Sequence, residues 1–115
     1  MATIDDPHYS TGAPGVIVKI RTTCVGDVPT TLQVYGYLYQ RPPGFIGPPQ
    51  LAATNSKSYN FVGGTMTWTM YVPNGSVPGL PCHPKYKYSA SMTGAINGVQ
   101  QFAVGPTVEK TVTCP

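Results

Sequence analysis

Thr65-Met66-Thr67-Trp68-Thr69-Met70-Tyr71-Val72 alternates without a break: Met66, Trp68, Met70 and Val72 fall on one side of an extended chain, and the three threonines and Tyr71 on the other. Successive side chains of a strand point to opposite faces, whereas a helix of ~3.6 residues per turn would scatter these apolar residues around its circumference. The octet therefore reads as a strand with one buried face. The same period holds in residues 30–41, where Leu32, Val34 and Leu38 face away from Gln33, Tyr35, Tyr37 and Tyr39. It holds again in 84–93, with Tyr86, Tyr88, Ala90 and Met92 opposite Lys85, Lys87, Ser89 and Ser91.

Residues 16–23, 56–62, 99–104 and 107–114 bring the extended segments to seven, separated by turn chemistry: Gly26-Asp27 with Pro29, the run 42–49, Gly63-Gly64, Pro73-Asn74-Gly75, Pro78-Gly79 and Asn97-Gly98. Composition agrees. Gly and Pro supply 26 of 115 residues and the charged residues only 11, so helix interiors lack both good formers and i,i+4 ion pairs. The expectation is an all-β chain: a single antiparallel β-sandwich over residues 15–115, of about seven strands and no significant helix. An extended N-terminal arm, 1–14, without a strand pattern, precedes it. At 12.2 kDa the chain holds one core, expected to centre on Trp68 with Met66, Met70, Leu32, Val34, Leu38, Tyr86 and Tyr88.

Three cysteines leave one without an intrachain partner. A two-residue type I′ turn at Asn97-Gly98 sets Ile96 opposite Val99 and runs Cys82 to Thr113; one bulge at Gly105-Pro106, where proline has no N–H for the ladder, moves that partner to Cys114. Cys82–Cys114 is the preferred disulfide, with Cys24–Cys114 and Cys24–Cys82 as alternatives, and no bridge at all if the chain folds in a reducing cytosol. Cys24 is then the remaining thiol, either buried or an intermolecular link.

Few residues are available for chemistry: four carboxylates, two histidines and three cysteines. Asp5-Asp6-Pro7-His8 lacks the alternate spacing and glycine of a hard-cation loop, no C-x-x-C pair occurs for zinc, and Cys82 and His83 diverge as strand neighbours. Neither a nucleophile elbow, a P-loop nor a dinucleotide fingerprint is present. The expectation is a non-enzyme without cofactor or metal. The net charge is +3, but Lys19, Arg21, Arg41, Lys57, Lys85, Lys87 and Lys110 form no basic run, so no nucleic-acid partner is expected. No apolar run approaches the ~20 residues of a bilayer span, so no membrane insertion is expected.

Two surface features stand out as candidate binding or interface sites. Tyr35, Tyr37 and Tyr39 at period 2 make a ridge on which a protein or a sugar ring can dock, or else a half-buried ladder. Four prolines and two glycines in 42–50 hold Phe45 and Ile46 on a stiff excursion, which inserts into a neighbour or folds back over the domain's own sheet edge. Asn74-Gly75-Ser76 is a formal glycosylation acceptor that reads equally as a turn.

Strand number, length and the Cys and Trp content over residues 15–114 resemble the immunoglobulin-like or fibronectin-type sandwich modules of secreted bacterial or phage surface proteins. The resemblance is one of pattern, because Trp68 stands 44 residues after Cys24 and Leu80 two before Cys82. It implies a non-catalytic structural or interaction module for adhesion, decoration or assembly, extracellular or on a virion surface. Copies of the same chain are the expected partners, and a carbohydrate-binding module using the tyrosine face is the alternative.

Overall fold

The alternating segments become strands in the computed structural model of the chain, which describes residues 1–74 and 78–115; the turn at Pro73-Asn74-Gly75 and the Asn74-Gly75-Ser76 acceptor lie partly outside the described residues. Among those described are β1 (Ala2–Ile4), β2 (His8–Ser10), β3 (Gly15–Gly26), β4 (Thr30–Arg41), β5 (Gln50–Phe61), β6 (Gly64–Val72), β7 (Lys87–Ile96), β8 (Val99–Val104) and β9 (Lys110–Thr111), and no helix. Seven of these nine overlie the segments read from alternation.

The other two lie in the N-terminal arm, for which the sequence shows no strand pattern. The arm turns at 11–14 and pairs antiparallel with β3, Ala2–Ile4 against residues 20–22 and His8–Ser10 against residues 15–17. Between them Asp5-Asp6-Pro7 accommodates one extra residue, at a place where proline cannot donate to a ladder. The carboxylates there anchor the arm instead: Asp5 accepts from Arg21 at 3.0 Å and Asp6 from Lys110 at 2.8 Å. Ala2, Ile4 and Tyr9 also pack partly buried against the core, but two strands of three residues are too short for alternation to reveal.

The strands form two antiparallel sheets. In one, β3 lies between the arm and β6, and an isolated bridge from Leu80 to Val16 prolongs the β6 side. In the other the order is β5-β4-β7-β8, with β9 continuing beyond β8 along β7. The inner faces meet in one core, the layering of a β-sandwich: Val16, Val18 and Ile20 of β3 and Met70 and Val72 of β6 against Leu32, Val34 and Leu38 of β4 and Tyr88, Ala90 and Met92 of β7. Gly36 marks the closest approach. A Cβ there would stand 2.6 Å from Val72 Cγ2 and 2.7 Å from Ile20 Cδ1, both on the opposite sheet.

The predicted inner face of β6 is the observed one, but the centre of the core is not Trp68. Met66 and Trp68 are half-buried, while Met70 and Val72 are sealed. The reason is topological. β6 is an edge strand, and Trp68 closes the open side of the sandwich by stacking on Tyr59 of β5, with ring centroids 4.9 Å apart. Period 2 identifies the face of a strand but not its distance from the rim.

The β7–β8 turn has Ile96 opposite Val99 with Asn97 at φ 51° and Gly98 at φ 85°, the two left-handed residues of a type I′ turn. The single bulge expected at Gly105-Pro106 is replaced by two irregularities. The register first slips between Gly94 and Ala95, where the Phe102 ring lies so close over Gly94 that an added Cβ would come within 2.0 Å of it. It shifts again between β8 and β9. The strand still delivers Cys114 to Cys82, and the two form the disulfide with Cα atoms 5.8 Å apart.

Candidate functional site

Alternation along β4 sends Leu32, Val34, Gly36 and Leu38 into the core, so Tyr35, Tyr37 and Tyr39 stand on the outer face of the larger sheet. Their neighbours are small and hydroxylated, except for Leu51 opposite Tyr39 on β5. Pairing with β5 sets Ser56 and Thr54 beside Tyr35 and Tyr37; pairing with β7 sets Thr93, Ser91 and Ser89 beside the three tyrosines in turn. The rings are half-buried. Tyr35 donates to Gln33 Oε1 at 3.2 Å, and the Tyr39 and Ser91 hydroxyls lie 3.1 Å apart. Tyr35, Tyr37, Thr54 and Ser56 line an open furrow of about 390 Å³ along the ridge.

The loop 42–49 is pinned by the last residue of β4. Arg41 donates from Nη1 to the Phe45 carbonyl at 3.2 Å and to the Gly47 carbonyl, and its guanidinium lies 6.0 Å from the centre of the Phe45 ring. The remaining edge of the guanidinium is forked onto Glu109, Nε to Oε1 at 2.6 Å and Nη2 to Oε2 at 3.3 Å. This bidentate pair is the strong form of the charge-assisted hydrogen bond. It holds the Glu109 carboxyl below the usual carboxylate range, chiefly through the hydrogen bond from Arg41. Phe45 is thereby laid against Arg41 at 39% exposure, while Ile46 is thrust out at 95%.

Exposed large apolar side chains gather at the two ends of the strands. The loops β3–β4, β5–β6 and β7–β8 share one end, where Val25, Val28, Val62 and Val99 are exposed together with Met1. Beside them Pro29, Phe61 and Val62 line a hollow of about 310 Å³. At the other end stand Ile46, Phe45 and Leu51, with Val108 on the adjoining segment. Among the described residues, Tyr71 is the remaining exposed large apolar one, on the outer face of the smaller sheet under the Lys19 ammonium, 5.7 Å from its ring centre.

Cys24 is the free thiol, half-buried opposite Met66. Cys82 and Cys114 are joined in a disulfide. His83 packs its ring on Tyr86 at 4.6 Å rather than beside a thiol. No group of three or more His, Cys, Asp or Glu gathers among the described residues. Three of the four carboxylates are in ion pairs, and Asp27 has no ion-pair partner among the described residues. No helix of the described residues is long and apolar enough to cross a membrane.

Sequence reasoning identified the ridge and the loop but missed what fixes the loop. Arg41 directly precedes the proline run, the local signal that it belongs to the loop as much as to the strand; its partner Glu109 is 68 residues away, and no local pattern joins them. Comparison of the chain with protein-family models, with curated proteins and with solved structures returns no match in any of the three.

Proposed function

We propose that the chain is a non-catalytic structural module of an extracellular or virion surface that associates with copies of itself. The observation that carries this reading is the placement of exposed apolar surface: it is concentrated at the two strand ends, and at one of them Ile46 is 95% exposed on a loop that Arg41, itself forked onto Glu109, holds by two hydrogen bonds to loop carbonyls and a contact with the Phe45 ring. A stiff apolar projection loses little conformational freedom when it docks, which favours association. Strand pairing is the less favoured route at three of the four sheet edges, which are guarded; the β6 edge has neither charge nor proline, and there the Tyr71 carbonyl accepts from Asn55 Nδ2 at 2.8 Å. Edge strand β5 carries the exposed Lys57, the arm edge carries Asp5, Asp6 and Pro7, and the β8–β9 edge is broken at Pro106.

Connectivity supports an immunoglobulin-like or fibronectin-type assignment. Lettered in chain order, the arm, β3 and β6 stand as A, B and E of one sheet, and β5, β4, β7 and β8–β9 as C′, C, F and G of the other. The disulfide favours an exported location. Sedimentation equilibrium over a wide concentration range tests the reading: apparent mass rising with concentration is expected, and a monomer throughout would refute it.

The second reading, a carbohydrate-binding module, is favoured by the half-exposed tyrosine ridge with its furrow lined by Thr54 and Ser56 hydroxyls. It requires intrinsic fluorescence to shift on titration with polysaccharide and Tyr37→Ala to abolish the shift. An unchanged spectrum at saturating polysaccharide removes it.

A further inference from the structure

We infer that copies of this chain join head to tail, with Ile46 of one copy seated in the hollow between Pro29, Phe61 and Val62 of the next. The inference rests on the self-association reading and adds which surfaces meet and with what symmetry.

Twelve-residue strands at ~3.3 Å per residue run about 40 Å, and of the 48 × 31 × 17 Å extents only the longest accommodates them. The loops carrying Ile46 and Val62 therefore sit at opposite ends of the long axis. One end projects and the other is recessed. The projection is a single branched aliphatic side chain with Phe45 at its base. The recess, an open hollow of about 310 Å³, is lined by Pro29, Phe61 and Val62 together with Thr30, Thr31, Asn60 and Asn97. Two of its polar residues are already paired with one another: Asn97 Oδ1 accepts from the Thr31 amide at 3.1 Å, and the Asn97 backbone amide donates to the Thr31 carbonyl at 2.9 Å. An entering aliphatic group thus displaces water from apolar walls without stripping partners from those groups.

Lys85 and Lys87 are exposed near the projecting end, where Arg41 and Glu109 neutralise one another, while at the recessed end the exposed Asp27 and the Met1 ammonium offset one another, so two projecting ends repel and unlike ends do not. The 31 × 17 Å cross-section limits a flat end-to-end contact to about 530 Å² per partner, or roughly 1,000 Å² in total, no more than the lower bound for a specific interface. A weak, concentration-dependent contact follows. Because the two surfaces differ, the contact is heterologous and propagates into an open filament unless the rotation between copies closes it into a ring.

Complementation between two variants tests this. Ile46→Asp destroys the projection and leaves the recess; Val62→Asp does the reverse, and both side chains are too exposed, at 95% and 72%, for the changes to unfold the chain. Each variant alone should sediment as a monomer at concentrations where the wild-type chain associates. Their equimolar mixture should stop at twice the monomer mass, since one sound junction remains and both outer ends are disabled. If the wild type associates but either variant still does so alone, or the mixture stays monomeric, head-to-tail joining is overturned while self-association stands. A wild type that remains monomeric overturns both.

Discussion

Replacing Gly36 by alanine probes the place where the two sheets come closest. The backbone can accept the change, because Gly36 is not among the glycines with positive φ. The obstacle is steric: the new methyl group would lie 2.6 Å from Val72 Cγ2, 2.7 Å from Ile20 Cδ1 and 2.9 Å from Met70 Cε. The isoleucine and methionine contacts involve the ends of flexible chains, which can rotate aside. Val72 is β-branched and stiff about χ1, so relief there requires the backbone or the sheet spacing to move. Overpacking of this kind costs about 1–3 kcal/mol. The loss of chain entropy in the unfolded state returns about 0.4–1 kcal/mol, leaving a net destabilisation of about 1–2 kcal/mol. For a chain of this length that lowers Tm by roughly 4–8 °C, and it should appear as a lower urea midpoint at unchanged m-value. A Gly36→Ala protein as stable as the parent, or more so, would mean that β4 does not lie against β3 and β6 at this level, and the packing of the two layers would have to be redrawn.

Four further outcomes are expected. Converting Cys82 and Cys114 together to serine should lower stability by about 3–4 kcal/mol, the loop-entropy value for a closure of this span, measured by denaturation without reductant; a change below about 1 kcal/mol would show the bridge to be incidental. Trp68→Ala should cost about 2–3 kcal/mol, less than the ~3–5 of a fully enclosed aromatic, because the indole is half-buried and loses chiefly its stack on Tyr59. Tyr59→Phe should be neutral or stabilising in the same assay, since its buried hydroxyl has no hydrogen-bond partner among the described residues; a clear loss would reveal a partner. Glu109 titrates below the ordinary carboxylate range in the folded chain, so the stabilisation from its pairing is present above the unfolded-state pKa and disappears as pH falls through the lowered folded value. Carboxyl resonances should record that low midpoint, Arg41→Gln should return it to the ordinary range, and an identical midpoint in both proteins would contradict the pairing.

The parts of this fold that could be read in advance are those governed by period 2 against a shared core. Leu32, Val34 and Leu38, and Tyr88, Ala90 and Met92, are buried on the faces that alternation assigns, because a one-residue slip would expose the whole set. The Asn97-Gly98 turn followed from turn chemistry; the Cys82–Cys114 pairing was the expected one, although the register that leads to it shifts at other places than the count assumed. Features set by distant partners were not legible. The arm pairs with β3 through main-chain groups that every residue possesses, so Thr3 and His8 look no different in a strand than in a coil. Trp68 lies at the rim because of where β5 passes, which no window around Trp68 records. The ridge of Tyr35, Tyr37 and Tyr39 was visible as a pattern, and its half-buried setting among Ser and Thr residues emerged only once β5 and β7 were placed on either side. Phe45 and Ile46 were identified as a pair, yet Arg41 separates them, covering one and projecting the other.

The central claim is that the ends of the sandwich, rather than its tyrosine face, are where this chain meets its partner. Amide and methyl spectra recorded from dilute to concentrated protein test it most directly. The account predicts concentration-dependent shifts at Ile46, Phe45, Val62 and Asn97, with Tyr35, Tyr37 and Tyr39 unmoved. Shifts confined to the β4 tyrosines and their Ser and Thr neighbours, or none anywhere, would contradict it.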